Sequence, residues 1–101
     1  MYEIIISKKS IVFLQSLPTE DQTEAKNLLI SIRARGCSFF KKCENKHGFD
    51  LSGCTSAYFG KARYRIIMEE TEPGKITIYA IGNRANFDAF READYQKNHT
   101  M

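Results

Sequence analysis

Proline and glycine are scarce, two and six in 101 residues, which excludes collagen-like and linker-like chains and argues against disorder. Long apolar runs are missing too. The longest, such as Ile4-Ile5-Ile6 and Leu28-Leu29-Ile30, fall far short of the roughly 20 residues that span a bilayer, so no membrane association is expected. No basic segment followed by an apolar one precedes the first structured stretch, and the expected location is cytoplasmic. Cysteine comes in an odd number, three, which argues against a disulfide framework and fits a reducing compartment. Cys37, Cys43, His47 and Cys54 lie near one another in sequence and invite a zinc reading. The short Cys-x-x-Cys knuckle that holds two ligands on one turn is absent, so thiols and a loop histidine without metal are expected. Neither Gly-x-Gly-x-x-Gly nor a P-loop occurs, and His-Glu-x-x-His and Gly-x-Ser-x-Gly are missing as well. These absences exclude the usual nucleotide and small-molecule cofactors and leave a Ser or Cys hydrolase without support.

What remains is the composition of one globular domain, residues 1–101, with 43% hydrophobic and 27% charged residues. The net charge of +3 is mild but unevenly spread. Between Cys37 and Arg65, six basic residues (Lys41, Lys42, Lys46, Lys61, Arg63, Arg65) stand against two acidic ones, Glu44 and Asp50. Glu69, Glu70 and Glu72 follow at once. Such a distribution fits either an ordinary solvated face or an electropositive one that favours polyanions.

The hydrophobic pattern gives the element order. Residues 2–6 alternate as a strand with Tyr2, Ile4 and Ile6 on one face. Ser7 or Ser10 is placed to cap a short helix that turns Phe13, Leu14 and Leu17 inward and stops at Pro18. Thr19 with Gln22 reads as a capping box for a longer helix. That helix carries Ala25, Leu28, Leu29 and Ile32 on one stripe and ends with Arg33, Arg35 and Gly36. Residues 37–53 are expected to form a loop with at most a short turn of structure. Strands follow over 55–59, 63–69 and 75–81, the last two joined by a type II turn at Glu72-Pro73-Gly74-Lys75. Asn86 is placed to cap a final helix bearing Phe87, Ala89, Phe90 and Ala93. The expected fold is α+β: an N-terminal strand, two helices on one face of a twisted antiparallel sheet, and a C-terminal helix. The other sheet face is expected to be open, with Arg63 and Arg65 on it.

Cations converge on that face. Lys61 at a turn, Arg63 and Arg65 on a strand, and Arg84 beyond the last strand are expected to share one concave surface. Guanidinium groups hold phosphate bidentately and stabilise the added negative charge of a phosphorane. RNA brings its own nucleophile, the 2′-hydroxyl, so charge stabilisation plus proton transfer can suffice to cut it.

The segment Asp50-Leu51-Ser52-Gly53, the strand Ala62-Arg63-Tyr64-Arg65-Ile66-Ile67, and Ala80-Ile81-Gly82-Asn83-Arg84 before an aromatic-bearing helix resemble the RelE/ParE superfamily of bacterial toxins. The resemblance covers nearly the whole chain except residues 37–49 and the end. It implies the toxin of a type II toxin–antitoxin pair, an endoribonuclease that cuts mRNA on the ribosome without a metal and is held inactive by an antitoxin. Carried over by position, Arg65 and Arg84 are the family's two arginines, and Lys61 stands in for its basic residue on the preceding strand. Arg63, Lys41, Lys42 and Lys46 then serve RNA binding. Phe90 occupies a position where RelE-like nucleases keep a tyrosine; it can stack on a base but has no proton to give. Tyr95 is the substitute acid or stacking group. ParE-like relatives, which poison DNA gyrase and lack most of the nuclease set, supply the alternative: an interaction protein without catalysis. The open sheet face and the helix over 19–35 are the expected antitoxin surfaces.

Overall fold

Five strands, four of them rich in β-branched or aromatic residues, build the sheet that organises the molecule. The computed structural model describes residues 1–43 and 48–99. In order they form β1 (Glu3–Ile6), α1 (Lys8–Gln15), α2 (Thr19–Arg35), β2 (Lys41–Lys42), β3 (Thr55–Phe59), β4 (Tyr64–Glu72), β5 (Lys75–Asn83), a 3-10 turn (Ala85–Phe87) and α3 (Asp88–His99). The sheet order is β1-β5-β4-β3-β2. It is mixed rather than wholly antiparallel, because β1 lies parallel to β5, with Ile4 beside Ile76 and Ile6 beside Ile78. The α1–α2 pair carries the chain away from β1, and the meander then returns its last strand alongside. No described helix is long and apolar enough to cross a membrane.

One sheet face holds the main core. Ala57, Phe59, Ile66, Met68, Ile76, Ile78 and Ile81 meet Ala25 and Ile32 of α2, with Ile4, Ile6, Phe13, Leu14 and Leu17 packed around them. Each fully buried large side chain in this layer, Phe59 or Ile32 for example, contributes roughly 1.5–3 kcal/mol of transfer free energy. Ser7 caps α1, its hydroxyl accepting from the Ser10 backbone N–H at 3.1 Å. The expected capping box at α2 does not form. Pro18 takes the cap position with φ −54°, already set for entry to a helix, and Thr19 is the first helical residue. Gln22 is thereby released to donate its side-chain amide to the Leu17 carbonyl at 2.7 Å. Gly36 ends the helix as expected, with φ +84° and its N–H bonded to the Ile32 carbonyl at 2.7 Å.

The opposite face is not open. Leu51, Cys54, Ile67 and Ala80 form a second buried cluster with Ala89 and Ala93 of α3. Alanines at i and i+4 make a small-residue stripe that lets α3 approach closely; a Cβ on Gly82 would lie 3.4 Å from the Ala89 backbone. Within the span 37–53 a two-residue strand appears, since Lys41 and Lys42 pair with Ser56 and Thr55 at the sheet edge. A register shift between Ile67 and Met68 leaves Tyr79 as the extra residue on β5. Tyr79 then donates its hydroxyl to Glu69 at 2.9 Å, and Lys97 of α3 donates to the same carboxylate oxygen at 2.7 Å. The Pro73-Gly74 turn forms with Gly74 at φ +82°, as expected for type II. The 3-10 turn precedes α3, and the Asn86 side chain lies outside the described residues.

Candidate active site

Register brings the site together. Antiparallel pairing sets Tyr58 of β3 opposite Arg65 of β4, and Arg65 opposite Gly82 of β5. Paired residues share a sheet face, so Tyr58 and Arg65 stand together on the α3 side. Arg65 is only 6% exposed. Its guanidinium carbon lies 4.0 Å from the Phe90 ring centroid and 5.2 Å from that of Tyr58. Arg84, on the exposed segment just past β5, reaches the same Tyr58 ring at 5.6 Å. The β-ladder holds it there, because the Arg84 N–H continues the pairing to the Arg63 carbonyl at 2.9 Å. One tyrosine thus gathers both arginines.

The electrostatics of this pair are unusual. Among the described residues no carboxylate pairs with Arg65 or Arg84. The Arg65 Nε is buried and has no hydrogen-bond partner among them. Aromatic faces attract a guanidinium by about 0.5–2 kcal/mol each without using its N–H donors. The shell therefore steadies Arg65 without engaging its N–H donors. Phe90 is itself braced, its ring parallel to Phe87 within 5° at a centroid distance of 6.2 Å.

Arg63 does not share this surface. It belongs to the hairpin turn, where Gly60, Lys61 and Ala62 all have positive φ, from 57° to 66°. The turn swings Arg63 to the helix side, where its Nη2 meets the buried Asp21 carboxylate at 3.2 Å and its Nε donates to the Gly60 carbonyl at 2.8 Å. Strand alternation alone puts Arg63 with Arg65; three left-handed residues in a row override it. Gly60 is obligatory in this turn, since a Cβ would lie 2.5 Å from the Tyr64 ring.

The remaining sequence candidates scatter. Lys61 sits exposed at the turn itself, on neither strand. Lys41 is paired with Ser56 and so stands on the Tyr58–Arg65 face, at the sheet edge; Lys42 alternates to the other face. Lys46 lies outside the described residues. Tyr95 is 58% exposed and, five residues beyond Phe90, is turned about 140° from it around α3. An open depression of ≈ 510 Å³ adjoins Arg84, lined by Ala62, Arg63, Tyr64, Asn83, Arg84 and Ala85.

Tyr58 is the residue that sequence reasoning missed. Its signal was the hairpin register, since residues 58 and 65 lie symmetrically about the 60–63 turn. Two cysteines near the site, Cys43 and Cys54, are held toward the thiol form. Burial raises the Cys43 pKa against a hydrogen bond to Ser56 and the nearby Arg65 charge. Burial and then Glu69 push the Cys54 thiol up to about 12. Among the described residues no three potential metal ligands gather, and His47 lies outside them.

Comparison with known proteins turns on shape. No family model matches the chain, and neither does any curated sequence. Solved structures do match. An arginine double mutant of the E. coli toxin RelE in its free state superposes with a TM-score of 0.69 at 13% identity, covering 91% of this chain and 93% of that one. The chain has the RelE fold. The intact E. coli RelBE toxin–antitoxin complex matches at 0.66 with 11% identity over 85% of this chain and 100% of that one. The archaeal RelE–RelB complex from Pyrococcus horikoshii matches at 0.58 and 15%, over 84% and 97%. The RelE fold is thus kept at identities where few side chains persist, and the arginine–tyrosine site has to be judged on its own geometry.

Proposed function

We propose that this chain is the toxin of a type II toxin–antitoxin pair and acts as a metal-independent endoribonuclease on mRNA at the ribosome. The observation that carries the reading is Arg65, buried and without a carboxylate partner among the described residues, gathered with Arg84 at the Tyr58 ring. A phosphodiester seated there meets two guanidiniums whose N–H groups have no acceptor among the described residues. Attack by the 2′-hydroxyl on the adjacent phosphorus builds up charge on the non-bridging oxygens, which these donors stabilise more strongly than they do the ground state. Lys41 extends the positive strip along the same face for the RNA backbone. The likeness to toxin–antitoxin complexes supports a cognate antitoxin as partner, and a cytoplasmic site of action goes with it.

The test is in vitro translation of a defined mRNA followed by primer extension. Cleavage by the wild type that disappears in Arg65→Ala and in Arg84→Ala is the expected result. Phe90, which has no hydroxyl, favours a second reading: a gyrase-directed or non-catalytic interaction protein of the same fold. Intact mRNA together with blocked gyrase supercoiling would overturn the first reading in favour of the second.

A further inference from the structure

Two guanidiniums stabilise charge but do not move protons, because they stay protonated at any working pH. Strand cleavage by a 2′-hydroxyl also expels a 5′-alkoxide, a far stronger base than water at neutral pH, which needs a proton as it leaves. Among the described residues the proton donors around the arginine pair can be sorted by position. Phe90 has none to offer. Ser56 is 5% exposed, and its hydroxyl is engaged with the Cys43 thiol, itself half-buried. Tyr64 packs on the opposite face between Phe13 and Phe59, at ring-centroid distances of 6.0 and 5.2 Å. Tyr95 is turned away around α3. Tyr58 alone among these combines a hydroxyl, 40% exposure and contact with both guanidiniums.

We infer that Tyr58 is the general acid of the cleavage step, an inference that rests on the endoribonuclease reading and gives that site its proton donor. The 2′-oxygen forms a bond to phosphorus as its own proton passes to water. The P–O5′ bond breaks with its electron pair going to O5′, which takes the phenolic proton of Tyr58. The products are a 2′,3′-cyclic phosphate and a 5′-hydroxyl, and the phenolate is reprotonated from water. Arg65 and Arg84, already against the ring, stabilise the phenolate while it exists. The same contact holds the ring in place, so the residue that gathers the arginines is also the one that serves the leaving group.

Tyr58→Phe tests this cleanly, since it keeps the aromatic ring that both guanidiniums contact and removes only the hydroxyl. On ribosome-bound mRNA the maximal cleavage rate is expected to fall about 10²–10⁴-fold, with KM and thermal midpoint unchanged. A substrate with sulfur in place of the scissile 5′-oxygen releases a thiolate, which needs no proton. On it Tyr58→Phe is expected to return to within about tenfold of wild type, while Arg65→Ala stays defective. Wild-type cleavage by Tyr58→Phe, or a defect equally large on the sulfur substrate, overturns the assignment while leaving the endoribonuclease reading intact. If the wild type cuts neither substrate, that reading fails and the acid role fails with it.

Discussion

The sheet face beneath α3 has two ends that treat buried cations in opposite ways. At one end Lys97 is 19% exposed in its side chain and fully matched, sharing the Glu69 carboxylate with the Tyr79 hydroxyl at 2.7 and 2.9 Å. At the other, Arg65 is 6% exposed and, among the described residues, meets aromatic rings and no carboxylate. Taking a cation out of water costs several kcal/mol, and a matched pair offsets much of that. Aromatic faces offset less, and they leave the N–H donors unspent. The first end fastens a helix; the second, on the proposed reading, leaves its cation for an anion. A smaller contrast repeats the lesson along one strand, because Arg63, two residues before Arg65, is matched to Asp21.

The largest effect is expected at the unmatched end. Arg65→Ala and Arg84→Ala should each lower mRNA cleavage about 10²–10³-fold, measured by primer extension. Arg65→Met sharpens the point, since an apolar side chain of similar length removes the buried charge and keeps the packing. It should abolish cleavage yet raise stability by about 1 kcal/mol or more, read from urea midpoints. A marked loss of stability would mean that Arg65 is a structural cation after all.

The matched end should behave in the opposite sense. Glu69→Gln takes the counter-charge from Lys97 and should cost about 1–2 kcal/mol in urea unfolding while leaving cleavage unchanged. Arg63→Ala, which strands the buried Asp21 carboxylate, should cost about 1 kcal/mol, again without loss of cleavage. A large cleavage defect in Arg63→Ala would erase the distinction between the two arginines of β4 and its turn.

The smallest effect is a pH slope. Three groups at the matched end favour their protonated forms in the folded state. The Glu69 hydrogen bond raises the Lys97 pKa, burial and then Glu69 raise that of Tyr79, and burial and then Glu69 raise that of Cys54 to about 12. A folded pKa above the unfolded one gives stability that is complete below the unfolded value and is lost as pH rises toward the folded one. For Cys54 that window runs from about 9 to about 12. Urea midpoints should therefore fall between pH 8.5 and 10.5, and Cys54→Ala should make that fall shallower by roughly 1 kcal/mol or less. An unchanged slope would sink the assignment to Cys54.

Local rules were enough to read much of this molecule. Ser7 and Gly36 mark helix ends because caps depend on neighbours within four residues. Tyr2, Ile4 and Ile6, and Ala25, Leu28, Leu29 and Ile32, reveal their buried sides through period alone. Arg65 and Arg84 were nameable as a pair from residue type and motif. Legibility ended where distant segments had to choose each other. Nothing near Ile4 specifies Ile76 as its partner, and a lone Thr19-x-x-Gln22 pattern does not show that Pro18 will claim the cap. The pairing of Tyr58 with Arg65 depends on how four turn residues are spent, a matter of one register step.

The amino-acid sequence by itself determined the α+β class, the cap of the first helix, the end of the second and the main core, and it singled out two arginines as candidates, because periodicity, capping and charge are local properties. Tertiary structure alone decided that α3 covers the second face, that Arg63 turns to Asp21, and that Tyr58 lies against both Arg65 and Arg84. The physical reason is the same in each case. Side-chain direction follows strand register and turn handedness, and a single left-handed run at Gly60, Lys61 and Ala62 sends neighbouring cations to opposite faces of one sheet.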